Sequence, residues 1–185
     1  MLVAIVRAHG KSVFTNPSTA NILQGFYSSI VEKASLTGRL PGDVAILEMD
    51  EAHAAKLTET IAPRLVTILN VMDDQLDRFV DPALVRSDLG LVGSRATDSL
   101  VLNADDPNLR IMLADHPATA KVSWFGVDAA SLATERHGLA TAPVYADVMA
   151  RPDVSAEVQE LAGQEFWAEL TGEGRSRVLM PNRGL

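Results

Sequence analysis

Three stretches of the chain place oxygen-bearing side chains directly behind apolar runs. Val44 to Leu47 lead into Glu48, Asp50 and Glu51. Thr67 to Leu69 lead into Asn70, Asp73, Asp74 and Asp77. Leu100 to Leu102 lead into Asn103, Asp105 and Asp106. Side chains of this kind suit Mg2+, a hard cation that takes oxygen ligands and is commonly held by one or two carboxylates together with substrate phosphates. The competing explanation is local. An Asp or Asn at a helix start satisfies free backbone N–H groups and complements the helix dipole, worth about 0.5–2 kcal/mol. For any single Asp the local explanation carries more weight. For Glu48 it carries less, because that residue lies on the strand side of its turn.

Other candidates for chemistry are weaker. His9-Gly10-Lys11-Ser12 imitates the end of a phosphate loop, but that pattern needs a glycine at position 5 and a helix after the serine. Position 5 is Ile, and an extended stretch follows. Met1–Ala8 reads better as the end of a helix, with Gly10 as its C-terminal cap and Lys11 easing the dipole. The segment Thr15–Asn21 precedes a helical pattern, so Ser18 or Thr19 is placed to cap that helix, whose free N–H groups could hold an anion. His9, His53, His116 and His137 show no metal-ligand spacing, and the chain has no cysteine for disulfides or thiolate sites.

The elements that must position these residues follow from the apolar pattern. Val-, Ile- and Leu-rich runs at Ser12–Phe14, Asp43–Met49, Arg64–Val71, Ser99–Asn103 and Lys121–Val127 read as strands. They are continuous more than alternating, as in strands with both sheet faces covered. Helical periods fill Ala20–Ser35, Glu51–Ile61, Pro82–Ala96 and Asn108–His116. This alternation predicts an α/β fold with a mostly parallel, doubly wound sheet. In such sheets ligands bind beyond the carboxyl ends of the strands, which is where the three acidic stretches begin.

After Val127 the pattern weakens. Residues 155–170 read as one amphipathic helix, with Val158, Leu161, Phe166 and Leu170 on a face, and the rest as a tail. The expected organisation is therefore an α/β domain over residues 1–128 and a divergent segment over 129–185. The net charge of −8 and pI near 4.9 leave no basic face for nucleic acid. No apolar run is long enough to span a bilayer, and the N-terminus lacks a signal peptide's basic region and cleavage site, so the expected location is the cytoplasm.

Five motifs in order, VFTNPSTAN, AILEMDEA, ILNVMDDQLDRF, LVLNADDP and VSWFGVD, resemble the central domain of the Mur ligases. The resemblance is to the MurT-type subunit of lipid II isoglutaminyl synthase in particular, where Gln precedes Leu-Asp in the third motif as Gln75 does here. It implies an ATP- and Mg2+-dependent ligase that activates a carboxylate as an acyl phosphate for attack by ammonia. The acceptor in that group is the D-glutamate of lipid II, and the ammonia comes from a glutaminase subunit. By the same resemblance Glu48 holds Mg2+, and Asn70, Asp74, Gln75 and Asp77 form the second acidic turn near metal and phosphates. Asn103, with Asp105 and Asp106 beside it, belongs to the adenine motif, and Asn16, Ser18 and Asn21 to the loop near the substrate. The family's phosphate loop, four-cysteine zinc ribbon and C-terminal ligase domain have no counterpart in these residues, and Asp73 stands where the family often has Arg. The expectation is thus a truncated or degenerate ligase subunit, inactive alone. The alternative is a non-catalytic protein that binds a glutaminase or ligase partner. An exposed sheet flank is expected to be covered by the C-terminal helix bearing Phe166 and Trp167, or by a second copy of the chain.

Overall fold

A computed structural model describes residues 2–16, 21–71, 82–127, 156–161, 165–170 and 174–178. The chain divides into two compact units, Met1–Ile61 and Ala62–Leu185, so the division falls inside the span read as one domain.

The first unit opens with α1 (Leu2–Ala8). Its end is fixed by Gly10, whose φ of 76° lies in the left-handed region that glycine tolerates. Gly10 N donates to Arg7 O at 2.9 Å and Lys11 N to Val6 O at 3.3 Å, the paired bonds of a Schellman cap. Strand β1 (Val13–Thr15) then pairs in parallel with β2 (Val44–Ile46), in the register Val13↔Val44 to Thr15↔Ile46. Parallel neighbours need a crossover, which α2 (Leu23–Lys33) supplies. The start of the ladder is locked by Ser12 and Asp43. Ser12 N and Oγ donate to Asp43 Oδ2 at 2.9 and 2.7 Å, and Asp43 N donates to Ser12 O at 2.9 Å. Gly42 allows this approach, because a Cβ there would sit 3.0 Å from Phe14 N. The core joins Phe14, Phe26 and Leu57, the last from α3 (Glu51–Leu57), with Leu23, Ile30, Leu40, Leu47 and Met49 packed around them.

Helix α2 begins later than the sequence suggests. Its N-cap is Ile22, which makes no side-chain cap bond. Asn21 O accepts Asp50 N at 2.8 Å, which ties residue 21 to another segment and delays the helix. The expected caps, Ser18 and Thr19, lie outside the described residues and are not at the N-cap position.

The second unit is one sheet in the order β3-β4-β5-β6-β7-β8. Strands β3 (Leu65–Ile68), β4 (Ser99–Asn103), β5 (Lys121–Val127) and β6 (Ala156–Leu161) pair in parallel. Helices α4 (Pro82–Ser94) and α5 (Pro107–Asp115) make the connections around β4. Val66, Ile68, Leu100, Leu102, Leu109 and Met112 are buried. Helix α4 lies close to this layer: a Cβ on Gly93 would meet Leu100 Cδ2 at 3.3 Å and Ile68 Cδ1 at 3.8 Å. The parallel strands match expectation, but β3 alternates. Leu65 and Thr67 are exposed while Val66 and Ile68 are buried, because β3 is the outermost of these strands and only one of its faces is packed. Trp124 and Phe125 in β5 are half-buried.

The C-terminal region corrects the sequence reading. Residues expected to form one amphipathic helix are β6 and β7 (Glu165–Leu170), paired antiparallel in the register Val158↔Ala168 and Glu160↔Phe166. The expected tail contributes β8 (Gly174–Val178), antiparallel to β7. The segments between these strands, 162–164 and 171–173, contain Gly163 and Gly172. A glycine inside a helix is unfavourable by about 1 kcal/mol, whereas short glycine-bearing links between apolar runs are hairpin connections. The helix bearing Phe166 and Trp167 that was expected to cover a sheet flank is therefore absent, and those residues lie within β7.

Candidate functional site

In the first unit, Asn16 follows β1 and Glu48 lies two residues beyond β2. Asn16 is buried, and its carboxamide spans the Glu48 backbone. Nδ2 donates to Glu48 O at 2.7 Å, and Oδ1 accepts from Glu48 N at 3.1 Å. Glu48 itself is exposed, so a fixed backbone carries an accessible carboxylate. Asp50 occupies the N-cap of α3 without making the side-chain cap bond, and Glu51 is in the first turn. Capping thus fails to account for Asp50. Asn21 is half-buried and enters through its backbone carbonyl.

In the second unit the decisive turn is that between β4 and α5. Asn103 ends β4 and is only 9% exposed. Its Oδ1 accepts Asp105 N at 2.9 Å, which closes an Asx turn. Ala104 is bonded from both sides: its N donates to Phe125 O at 2.7 Å, and Arg110 donates to its carbonyl. Asp105 is buried. Asp106 is the N-cap of α5, accepting Asn108 N on Oδ1 at 2.9 Å and Val71 N on Oδ2 at 2.6 Å. Burial pushes its carboxyl above the usual range, against the opposing pull of the Val71 and Asn108 hydrogen bonds and the Arg110 charge. Both Asp106 oxygens therefore serve the fold. The Asn103 carboxamide nitrogen, by contrast, makes no hydrogen bond among the described residues.

Asn70 is exposed just beyond β3. Asp74, Gln75, Asp77 and Ser18 lie outside the described residues. Among the described residues there is no group of three or more His, Cys, Asp or Glu arranged to hold a metal ion. Gly10-Lys11-Ser12 sits between a helix and a strand, the reverse of a phosphate loop's strand-to-helix order. A cavity of about 80 Å3, lined by Ala83, Arg86, Ser87, Met112, Asp115 and His116, is far below the roughly 300 Å3 at which ligand pockets begin. Sequence reasoning missed two long-range ties, Asn16 to Glu48 and Asp106 to Val71. A partial signal existed for the first, since Asn16 stands directly before Pro17 at a strand end.

No protein-family model matches the chain. Over 130 residues it is 31% identical to the MurT subunit of a glutamine-hydrolysing lipid II isoglutaminyl synthase from Streptococcus pneumoniae, covering 69% of this chain and 28% of that protein. The MurT subunit of Staphylococcus aureus strain COL is 24% identical over 102 residues, 55% of this chain and 22% of its own. The backbone matches the MurF ligase of Thermotoga maritima, solved in complex with ADP, with a TM-score of 0.60 at 15% identity over 96% of this chain and 36% of that one. The chain belongs to the Mur ligase family. A pseudomurein peptide ligase type C from Methanothermus fervidus, a further ligase with this fold, matches with a TM-score of 0.64 at 15% identity, over 97% of this chain and 38% of its own. The chain thus spans under a third of its MurT relatives and under two-fifths of these ligases. Among the described residues no helix is long and apolar enough to cross a membrane.

Proposed function

We propose that this chain is a MurT-like ligase subunit, related to the ATP-dependent amidation of the lipid II D-glutamate in peptidoglycan synthesis. The observation that supports this most is the MurT similarity over 130 residues, joined to a Mur ligase backbone. The nucleotide, when bound, would supply the phosphoryl group that activates the acceptor carboxylate. The residues fit that ligand unevenly, and each is judged within its own unit. Glu48 offers an exposed hard oxygen donor on a pinned backbone, suited to Mg2+. Asn103 has its oxygen committed to the turn and its amide nitrogen available as a donor to a purine ring. Asp106 weighs less as a ligand, because each of its oxygens already accepts a backbone N–H that the fold uses. Asn70, Asp74, Gln75 and Asp77 keep the role implied by resemblance, in the turn near metal and phosphates.

A phosphate loop is not formed by Gly10-Lys11-Ser12, and a backbone N–H cradle is what grips polyphosphate most tightly. The 185 residues by themselves are therefore proposed to bind Mg-ATP weakly and not to form the amide, and to work with a glutamine-hydrolysing partner. Isothermal titration of the chain with Mg-ATP, alongside an ammonia-dependent lipid II amidation assay, tests this. The expected result is no micromolar binding and no product. Micromolar affinity or amidated product from the chain alone would overturn it.

A further inference from the structure

We infer that Asn16 is a positioning residue that aims the Glu48 carboxylate by fixing the Glu48 backbone, without itself touching the ligand. The inference rests on the reading above, in which Glu48 faces a divalent cation.

The β1–β2 ladder has its last rung at Thr15↔Ile46. The chain then reaches Pro17, which has no N–H to offer a further rung. Asn16 substitutes for that rung with its side chain. A carboxamide carries the same donor and acceptor as a peptide group, and both are applied to one residue: 2.7 Å to Glu48 O and 3.1 Å from Glu48 N. Two bonds to the same residue restrict rotation about its backbone far more than one. Asn16 is only 5% exposed, so water competes poorly for either bond. The Glu48 side chain, in contrast, is exposed. The result is a buried clip and an accessible carboxylate on the same residue pair, which is how ligand orientation is commonly set around metals. The chemistry is specific to Asn at this length. Asp would turn lone pairs toward Glu48 O, Ala would make neither bond, and Gln would be a methylene too long.

The probe is Mn2+ with ADP, titrated into the 15N-labelled 185-residue chain, with paramagnetic broadening and amide hydrogen exchange read at position 48. In the unmodified chain broadening is expected to saturate at Glu48. N16A and N16D are expected to raise the Mn2+ midpoint about 10- to 100-fold, and N16A, which loses the acceptor for Glu48 N, to speed exchange of the Glu48 amide. E48Q is expected to abolish saturable broadening while leaving exchange at position 48 slow, which separates the clip from the ligand. N16D keeps the acceptor for Glu48 N and the side-chain size, and circular dichroism verifies its fold, so it decides the matter if N16A unfolds. Unchanged midpoints in the folded Asn16 variants would overturn the positioning role and leave the metal reading intact. Absence of saturable broadening in the unmodified chain would overturn both.

Discussion

Asp106 shows how a residue type can suggest one role and its partners impose another. Its carboxylate caps α5 through Asn108 N and reaches back to Val71 N at the end of the β3 segment. Removing both acceptors in D106A leaves two backbone donors short of a partner and is expected to destabilise the fold by about 2 kcal/mol in urea denaturation. Its titration has a defined sign. A carboxyl held high by burial contributes stability that is fully present below its unfolded value and lost as pH rises through its folded value. The stability of the unmodified chain relative to D106N, which keeps a cap oxygen but does not titrate, should therefore decline as pH rises through the acid range. A difference that is flat or rising with pH would contradict this account. Asp43 and Asp98 act in the opposite sense. Hydrogen bonds from Ser12 hold the Asp43 carboxyl low, and hydrogen bonds from Arg64 and Thr97 do the same for Asp98, so their contributions fade as pH falls through their folded values. Capping was the weightier reading for any Asp at a helix start, but the further partners Val71, Ser12 and Arg64 were not legible from residue type. Spacing identified Asp106 and Asp50 equally as caps, but only Asp106 makes the side-chain cap bond.

At the scale of elements, the sequence was informative wherever an apolar run and its breaker stood together. Strands β4 and β5 have the bounds read from their Val- and Leu-rich runs, and Gly10 ends α1 as its position suggested. The reading failed at residues 155–170, where Val158 and Leu161 satisfy a helical spacing and a strand pairing alike. Gly163 weighs against the helix, but the strand partners that decide the pairing are not written in local pattern. Packing between α4 and α5 offers an element-level test. A Cβ at Gly90 would lie 2.4 Å from His116 Cδ2 and 3.0 Å from His116 Cβ, too close for the side chain of the residue whose backbone N–H caps α5 to stay in place. G90A is expected to destabilise by about 1–3 kcal/mol through overpacking, measured by the urea midpoint. A change within experimental scatter would mean that His116 moves aside freely and that the α4–α5 contact is loose.

For the whole molecule, motif order carried the kinship, while the division into two units was not visible. Runs of apolar residues reveal strands but not which sheet each joins, and β2 and β3 read alike in sequence although they belong to different sheets. The functional account depends, within each unit taken by itself, on a turn that can meet a ligand: Glu48 exposed after β2 in the first unit, and Asn103 holding the turn after β4 in the second. The most direct test is a 15N NMR titration of the chain with Mg-ADP at concentrations high enough to detect weak binding. The account predicts saturable shifts at Glu48 and at Asn103 to Asp105. Shifts absent from both turns, or confined to the Arg86–His116 cavity between α4 and α5, would contradict it.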